Sequence, residues 1–119
     1  MTKPLGPYTP VVRAGDWIIV SGQLGMKDGA LVAGVAAQTA QALENLKVLL
    51  ATVNATAADV AKTLCFLTDM STFADFNEAY MAGFGDHRPA RSTVGVAALP
   101  AGAAVEIEAW AFKPSAQGK

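Results

Sequence analysis

The pattern of apolar and polar positions predicts a β-hairpin followed by a helix in the first half of the chain. Residues 11–13 and 17–21 are rich in β-branched and aromatic residues and flank an Ala-Gly-Asp turn, which is typical of two paired strands. Gly22, Gly25 and Gly29 then predict a loop. From residue 35 to residue 53 the apolar positions follow helical spacing, with polar side chains on the opposite side, which predicts the first helix.

The second half alternates between the same two patterns. Residues 60–67 are apolar on both alternating sides, which predicts a central strand covered on both faces. A cap signal for one short turn, Thr56-x-x-Asp59, precedes that strand, and Asp69 and Ser71 can both cap the segment after it. An aromatic stripe then predicts a second helix that Gly85 can end; its residues are Phe73, Phe76, Tyr80 and Phe84. Two more strands are predicted at residues 92–97 and 104–112.

The order β-β-α-β-α-β-β predicts an α+β domain in which one mixed sheet carries both helices on one face. The length of 119 residues fits a single domain, residues 1–119, with flexible ends at 1–5 and 114–119. The composition is 52% hydrophobic and only 16% charged, so a chain this small has little interior in which to bury its apolar surface. We therefore expect another copy of the chain to cover the second sheet face.

Charge and cysteine content exclude several functional classes. The formal net charge is −1 without a basic run, which argues against a nucleic-acid partner. No apolar run is long enough to cross a bilayer, and the N-terminus lacks the apolar segment of a signal peptide, so we expect no membrane partner. The single cysteine, Cys65, excludes an internal disulfide and indicates a reducing, cytoplasmic location.

Arg91 is the first candidate for chemistry. It lies close after Pro89, whose ring restricts the local backbone, and a guanidinium on a stiff turn suits bidentate binding of a planar anion. A carboxylate clamp is one interpretation. The other is a surface salt bridge, for example to Asp86, and spacing alone favours neither.

Two carboxylates alternate with apolar residues along the last predicted strand. Glu106 could position or deprotonate a water molecule, although an isolated carboxylate on a strand is more often simply solvated. Glu108 lies on the same predicted face, so the sequence does not decide which of the two would handle the water.

Three residues near the N-terminus are candidates for lining a pocket. Tyr8 follows the stiff Gly6-Pro7 pair, and its ring could either wall a pocket or pack on an apolar edge. Ser21 and Gly22 could bring backbone amides to a ligand, or they could form a strand-ending bulge.

The remaining reactive side chains do not match a familiar catalytic arrangement. The single histidine, His87, lies in a charged loop, and Cys65 lies within an apolar strand, so we expect a loop residue and an inert core thiol. The sequence has no metal-ligand cluster and no nucleotide-binding glycine motif. We therefore expect a reaction that needs neither a metal nor a cofactor, only a held anion and an oriented water molecule.

Several short motifs together resemble the Rid family of enamine/imine deaminases, of the RidA or YjgF type. They are Gly6-Pro7-Tyr8, Ile19-Val20-Ser21-Gly22-Gln23, Pro89-Ala90-Arg91-Ser92, Leu99-Pro100 and Val105-Glu106-Ile107-Glu108. The resemblance covers nearly the whole chain. It implies a chorismate-mutase-like fold and a homotrimer in which three sheets form an inner barrel, with active sites between neighbouring subunits.

The resemblance also implies an activity, the hydrolysis of 2-aminoacrylate and 2-iminobutanoate to 2-keto acids and ammonia. Arg91 would bind the substrate carboxylate and hold the substrate nitrogen through its backbone carbonyl, and Glu106 would orient the water. The other implied pocket residues are Tyr8, Ser21, Gly22 and Asn77, with Thr93 where many members have a cysteine. The loop before Pro89 is shorter than in archetypal members, so substrate preference can differ.

Two other functions remain open at this point. One is a non-catalytic module that binds small carboxylates or amino acids. The other is the ribonuclease or translation-inhibitor activity sometimes attached to this family, against which the net charge of −1 argues.

Overall fold

The computed structural model describes residues 4–115, so most of the two expected flexible ends lies outside the described residues. Two helices and seven strands make up this part of the chain. The helices are α1 (Val35–Ala51) and α2 (Phe73–Phe84), and the strands are β1 (Val11–Ala14), β2 (Trp17–Leu24), β3 (Met26–Lys27), β4 (Ala30–Leu31), β5 (Val60–Leu67), β6 (Ala90–Gly95) and β7 (Val105–Phe112).

Five of the strands form one mixed sheet in the order β1-β2-β7-β5-β6. β5 and β6 run parallel, whereas the other neighbours are antiparallel, which confirms the predicted mixed sheet. The prediction of a loop around Gly22, Gly25 and Gly29 is partly wrong. β2 continues to Leu24, with a β-bulge between Val20 and Gln23, and β3 and β4 form a second, small sheet. Strands of two residues are too short to show alternation, so periodicity could not reveal them.

Both helices pack on the same face of the main sheet, as predicted. The core contains the apolar stripes of α1 and α2 together with alternate residues of β2, β5 and β7. Register explains which strand residues share this face, because Thr63 lies opposite Ala109 and Cys65 lies opposite Ile107. Neither helix within residues 4–115 has the length and apolar content that a bilayer crossing requires.

The opposite face of the sheet, called the open face below, has no covering element among the described residues. Large apolar side chains on it remain exposed, including Trp17 at 42% and Phe112 at 46%. In β5, residues Lys62, Leu64 and Phe66 on this side are only partly buried. The prediction that β5 is covered on both faces is therefore wrong for a single chain, although its central position in the sheet is confirmed.

Local capping agrees closely with the sequence signals. Thr56 and Asp59 form a reciprocal capping box around a short 3₁₀ turn before β5. The Asp69 side chain accepts a hydrogen bond from the Ser71 amide, but the Ser71 hydroxyl donates back to Asp69, so only Asp69 acts as a cap. Gly85 ends α2 with a φ of 66°, a left-handed conformation that glycine adopts without strain.

We expect Gly25→Ala to lower the free energy of unfolding by about 1–3 kcal/mol, because an added methyl group would overpack the contact between the end of β2 and α1. A Cβ at position 25 would lie 2.5 Å from the Cα of Gln38, which is helix backbone and has little freedom to move. Gly6→Ala is the control, since its nearest contact would be an ordinary 3.7 Å from the Tyr8 ring. Urea unfolding curves measure both, and equal stability of the two variants would contradict this reading of the packing.

Candidate functional site

Arg91 lies on the edge strand β6, on the side that faces the helices. It is in register with Thr63 of β5, whose side chain is fully buried beneath α2. The Arg91 guanidinium carbon lies 4.8 Å, 5.3 Å and 5.5 Å from the ring centroids of Tyr80, Phe76 and Phe73. We call these three rings the aromatic cradle.

Arg91 has no acidic partner among residues 4–115. The ion pairs formed there join Lys47 to Glu44 and Lys113 to Asp59, so the alternative of an Arg91–Asp86 salt bridge is not realised. A partly buried guanidinium without an anion can bind one that arrives from solution or from a ligand.

The guanidinium opens onto a cleft of about 340 Å³, called the Arg91 cleft, which also contains Asn77 and Arg88. On this side of the protein the buried oxygen Asn77 Oδ1 lacks a hydrogen-bond partner within the described chain, whereas Thr93 Oγ1 lies beside the Cys65 thiol. Buried polar atoms are nearly always paired in native proteins. The Asn77 oxygen therefore indicates that a group outside the single chain, such as water, a ligand or another subunit, completes its bonding.

Glu106 lies on β7, opposite Leu24 of β2 and Phe66 of β5. Its carboxylate occupies the space left by the missing side chain of Gly22, at the β-bulge of β2. A second cleft, called the Glu106 cleft, has a volume of about 400 Å³ and is lined by Leu5, Gly6, Tyr8, Ser21, Gly22, Leu24, Pro100 and Glu106. The structure thus brings four of the predicted site residues together: Tyr8, Ser21, Gly22 and Glu106.

Both carboxyls of β7 have raised pKa values. Burial raises the pKa of Glu106, and the nearby charge of Glu108 raises it further. Burial also raises the pKa of Glu108. Of the two, Glu106 is the one that lines the cleft with Tyr8 and Gly22. A carboxylate with a raised pKa is a stronger base once ionised, which suits a group that accepts a proton from water.

Hydrogen bonds of hydroxyl groups and of the backbone hold the N-terminal segment next to this bulge. The Tyr8 hydroxyl accepts a hydrogen bond from the Leu5 amide at 3.1 Å. The Ser21 hydroxyl donates to the Thr9 carbonyl at 2.7 Å, and the Ser21 amide donates to the Pro10 carbonyl. The register of β2 against β7 shows a bulge at Ser21-Gly22, but it lies within β2, which continues to Leu24, and does not end the strand as predicted. The Ser21 hydroxyl positions the N-terminal segment.

Within one chain, Arg91 and Glu106 lie on opposite faces of the sheet. Arg91 is in register with Thr63, and Glu106 is in register with Phe66. Residues 63 and 66 of one strand point to opposite sides, because side chains alternate along a strand. The chain therefore contains two separate clefts on opposite faces of the sheet, the Arg91 cleft beside α2 and the Glu106 cleft beside the N-terminal segment.

His87 and Cys65 contribute to packing and line neither the Arg91 cleft nor the Glu106 cleft, as predicted from the sequence. The His87 ring nitrogen Nε2 forms a 2.7 Å hydrogen bond with the Val60 carbonyl, and the ring lies beside that of Phe84. Burial raises the pKa of the Cys65 thiol to about 11, so the thiol stays protonated and unreactive at neutral pH.

Sequence reasoning missed the aromatic cradle and the lining role of Leu5. The aromatic stripe of α2 was visible, but it predicted only core packing. In the structure Phe73 is 37% exposed and faces Arg91, which the helical spacing alone did not distinguish from a core position.

We expect Gly22→Ala to lower kcat by about 10²-fold with little change in stability, because an added methyl group would overlap the Glu106 carboxylate and displace it. Gly83→Ala is the control for activity: its methyl group would overlap the buried side chain of Leu43 and is expected to lower stability, but Gly83 lines neither cleft, so activity should be kept. Activity and thermal unfolding are measured for both. Full activity of Gly22→Ala would contradict a role for the position of Glu106.

Known proteins are similar to this chain in both sequence and fold. Residues 1–113 match the family model described as Endoribonuclease L-PSP. A 2-iminobutanoate/2-iminopropanoate deaminase of Escherichia coli K12 is 41% identical over 114 residues, which cover 92% of this chain and 89% of that protein. Two crystal structures are similar along almost their whole length. RidA from Psychrobacter sp. PAMC 21119 has a TM-score of 0.89 at 38% identity, covering 92% of this chain and 91% of that one. Escherichia coli TdcF with bound serine has a TM-score of 0.88 at 36% identity, covering 92% and 90%.

A family match over almost the whole sequence, together with relatives near 40% identity, agrees with the motifs around Gly22, Arg91 and Glu106. The chain belongs to the Endoribonuclease L-PSP family, the Rid family that those motifs resemble.

Proposed function

We propose that this protein hydrolyses reactive 2-imino acids and their enamine tautomers, of the 2-aminoacrylate and 2-iminobutanoate type, to 2-keto acids and ammonia. The observation that carries the proposal is the Arg91 guanidinium, which faces a cleft and has no anionic partner within residues 4–115. The name of the E. coli relative, a 2-iminobutanoate/2-iminopropanoate deaminase, supports the reaction. The proposed reaction uses neither a metal nor a cofactor.

The Arg91 cleft and the Glu106 cleft each supply one part of the reaction. Arg91 binds the substrate carboxylate through its guanidinium and accepts a hydrogen bond from the substrate nitrogen at its backbone carbonyl. Asn77 and Thr93 complete this side of the site, and the unpaired buried oxygen of Asn77 supports the assignment of Asn77. Glu106 orients the attacking water molecule, and Tyr8, Ser21 and Gly22 line its side of the pocket.

The chemistry needs only these groups. Protonation of the enamine carbon gives an iminium ion whose C2 is electrophilic. The water oxygen bonds to C2 while Glu106 accepts the water proton, which produces a tetrahedral carbinolamine. That proton then passes to the nitrogen, the C–N bond breaks with its electron pair leaving on ammonia, and loss of the hydroxyl proton gives the 2-keto acid.

The complete site forms in a homotrimer. The open face carries exposed Trp17, Ile19 and Phe112, and burial of these side chains against other copies of the chain would drive association. In the assembly, the Arg91 cleft of one subunit meets the Glu106 cleft of its neighbour. The protein acts in the cytoplasm on a small-molecule substrate, without a nucleic-acid or membrane partner.

A coupled assay tests the proposal. A serine or threonine dehydratase releases the enamine, and the appearance of the 2-keto acid is measured over time in a buffer without other amines. We expect the purified protein to accelerate keto-acid formation beyond the dehydratase alone. An unchanged rate at every protein concentration would refute the deaminase function.

A non-catalytic module that binds small carboxylates is the second candidate. The bound serine in the E. coli TdcF structure favours it, because serine presents a carboxylate and a nitrogen but no imine. This alternative predicts thermal stabilisation by serine or 2-oxobutanoate without turnover in the coupled assay. Ribonuclease activity, the name of the matched family model, is disfavoured by a net charge of −1.

A further inference from the structure

The guanidinium of Arg91 is surrounded by aromatic rings on the side that faces α2. Its central carbon lies within 6 Å of the ring centroids of Phe73, Phe76 and Tyr80. At these distances a cation is attracted by the negative electrostatic potential of the ring faces. We propose that the aromatic cradle is a positioning device that holds the Arg91 guanidinium in place, charged and unpaired, for a carboxylate ligand.

The cradle is itself fixed by the core. Phe76 is fully buried, and the Tyr80 hydroxyl forms a buried 2.7 Å hydrogen bond with the Thr63 hydroxyl. The rings of Phe76 and Tyr80 lie 5.6 Å apart, and the Tyr80 ring lies 4.9 Å from that of Phe84. Phe76 and Tyr80 therefore have little freedom to move, and the cation that rests on them is held in place as well.

The reason for rings rather than an acidic residue lies in competition for the same N–H donors. A carboxylate partner would fix Arg91 equally well, but it would occupy donors that the substrate needs, and that ion pair would have to break on binding. Ring faces attract the charge without accepting strong hydrogen bonds. The donors therefore remain available, and less side-chain entropy is lost when the ligand arrives.

This role rests on the proposed function of Arg91 as a carboxylate-binding residue, but it can be tested without turnover. The probe is 2-oxobutanoate, a stable 2-keto acid, and its Kd is measured by NMR titration. The Arg91 Nε–Hε signal, assigned with Arg91→Lys, is the second readout, because ring currents shift a proton held beside aromatic faces.

We expect Phe73→Leu and Tyr80→Leu to raise the Kd for 2-oxobutanoate by about 3- to 30-fold, the range that one cation–π contact implies. Both should raise KM more than they lower kcat, and both should move the Arg91 Hε signal. Tyr80→Phe keeps the ring and should bind within about threefold of the wild type. Phe73 is 37% exposed, so its variant should fold even if a change at the buried Tyr80 does not. Val48→Ala, at an exposed position on α1, is the control.

An unchanged Kd and an unchanged Arg91 Hε signal in Phe73→Leu would overturn the inference, as would equal losses in Tyr80→Phe and Tyr80→Leu. The two proposals fail separately. If the wild type shows no deaminase activity while the ring variants still weaken 2-oxobutanoate binding, the deaminase function is wrong and the cradle stands.

Discussion

Arg91→Ala is expected to lower kcat/KM for imine hydrolysis by about 10²–10³-fold, close to the rate of the dehydratase alone. The variant loses the charge-assisted pair with the substrate carboxylate, and truncating one partner of such a buried pair costs about 2–5 kcal/mol. The variant should still fold, because Arg91 makes no ion pair within residues 4–115 and lies on an edge strand, although loss of its contacts with the aromatic cradle should lower stability slightly. The measurement is the coupled dehydratase assay, with circular dichroism as a check on folding.

Two controls sharpen this result. Arg91→Lys keeps the charge but loses the bidentate fork, so it should recover only part of the activity. Lys47→Ala removes a cation from an exposed surface ion pair and should leave activity unchanged. If Arg91→Ala were as active as Lys47→Ala, the carboxylate-clamp role would be wrong.

Mixing two inactive variants is expected to restore activity. Arg91→Ala lacks the cation and Glu106→Gln lacks the base, and the two side chains of one chain lie on opposite sheet faces. If each active site joins Arg91 of one subunit to Glu106 of the next, every mixed trimer contains one intact site. Random mixing in equal amounts should then give about a quarter of the wild-type activity, because about three quarters of the trimers are mixed.

The experiment requires unfolding and refolding the two variants together, or expressing them together, since assembled trimers need not exchange subunits. Each variant refolded alone is the control and should remain inactive. A mixture no more active than its components would show that Arg91 and Glu106 do not act across a subunit boundary.

Local features of the fold were predictable from local sequence. The hairpin, both helices and the Thr56–Asp59 capping box result from periodicity and side-chain hydrogen bonding over a few residues. The β-bulge at Gly22 was only one of two alternatives, because a glycine near a strand end fits either a bulge or a close approach of the backbone to a ligand. The structure shows a bulge, and the space beside Gly22 is filled by the carboxylate of Glu106, which is 84 positions away in the sequence.

The separation of Arg91 and Glu106 could not be predicted from either strand alone. Alternation shows which residues of one strand share a side, but the relation between β6 and β7 passes through the register of β5. For the same reason, the sequence could pair the two residues in one site only through family resemblance. The structure shows that they lie in two separate clefts, because Arg91 is in register with Thr63 and Glu106 with Phe66.

The buried thiol of Cys65 has a practical consequence. With a pKa of about 11, only about one molecule in 10⁴ carries a thiolate at pH 7. The sequence has no other cysteine, and position 93 holds a threonine. The Cys65 thiol should therefore react slowly with peroxide and alkylating reagents, and the protein should require no reductant during storage to protect it.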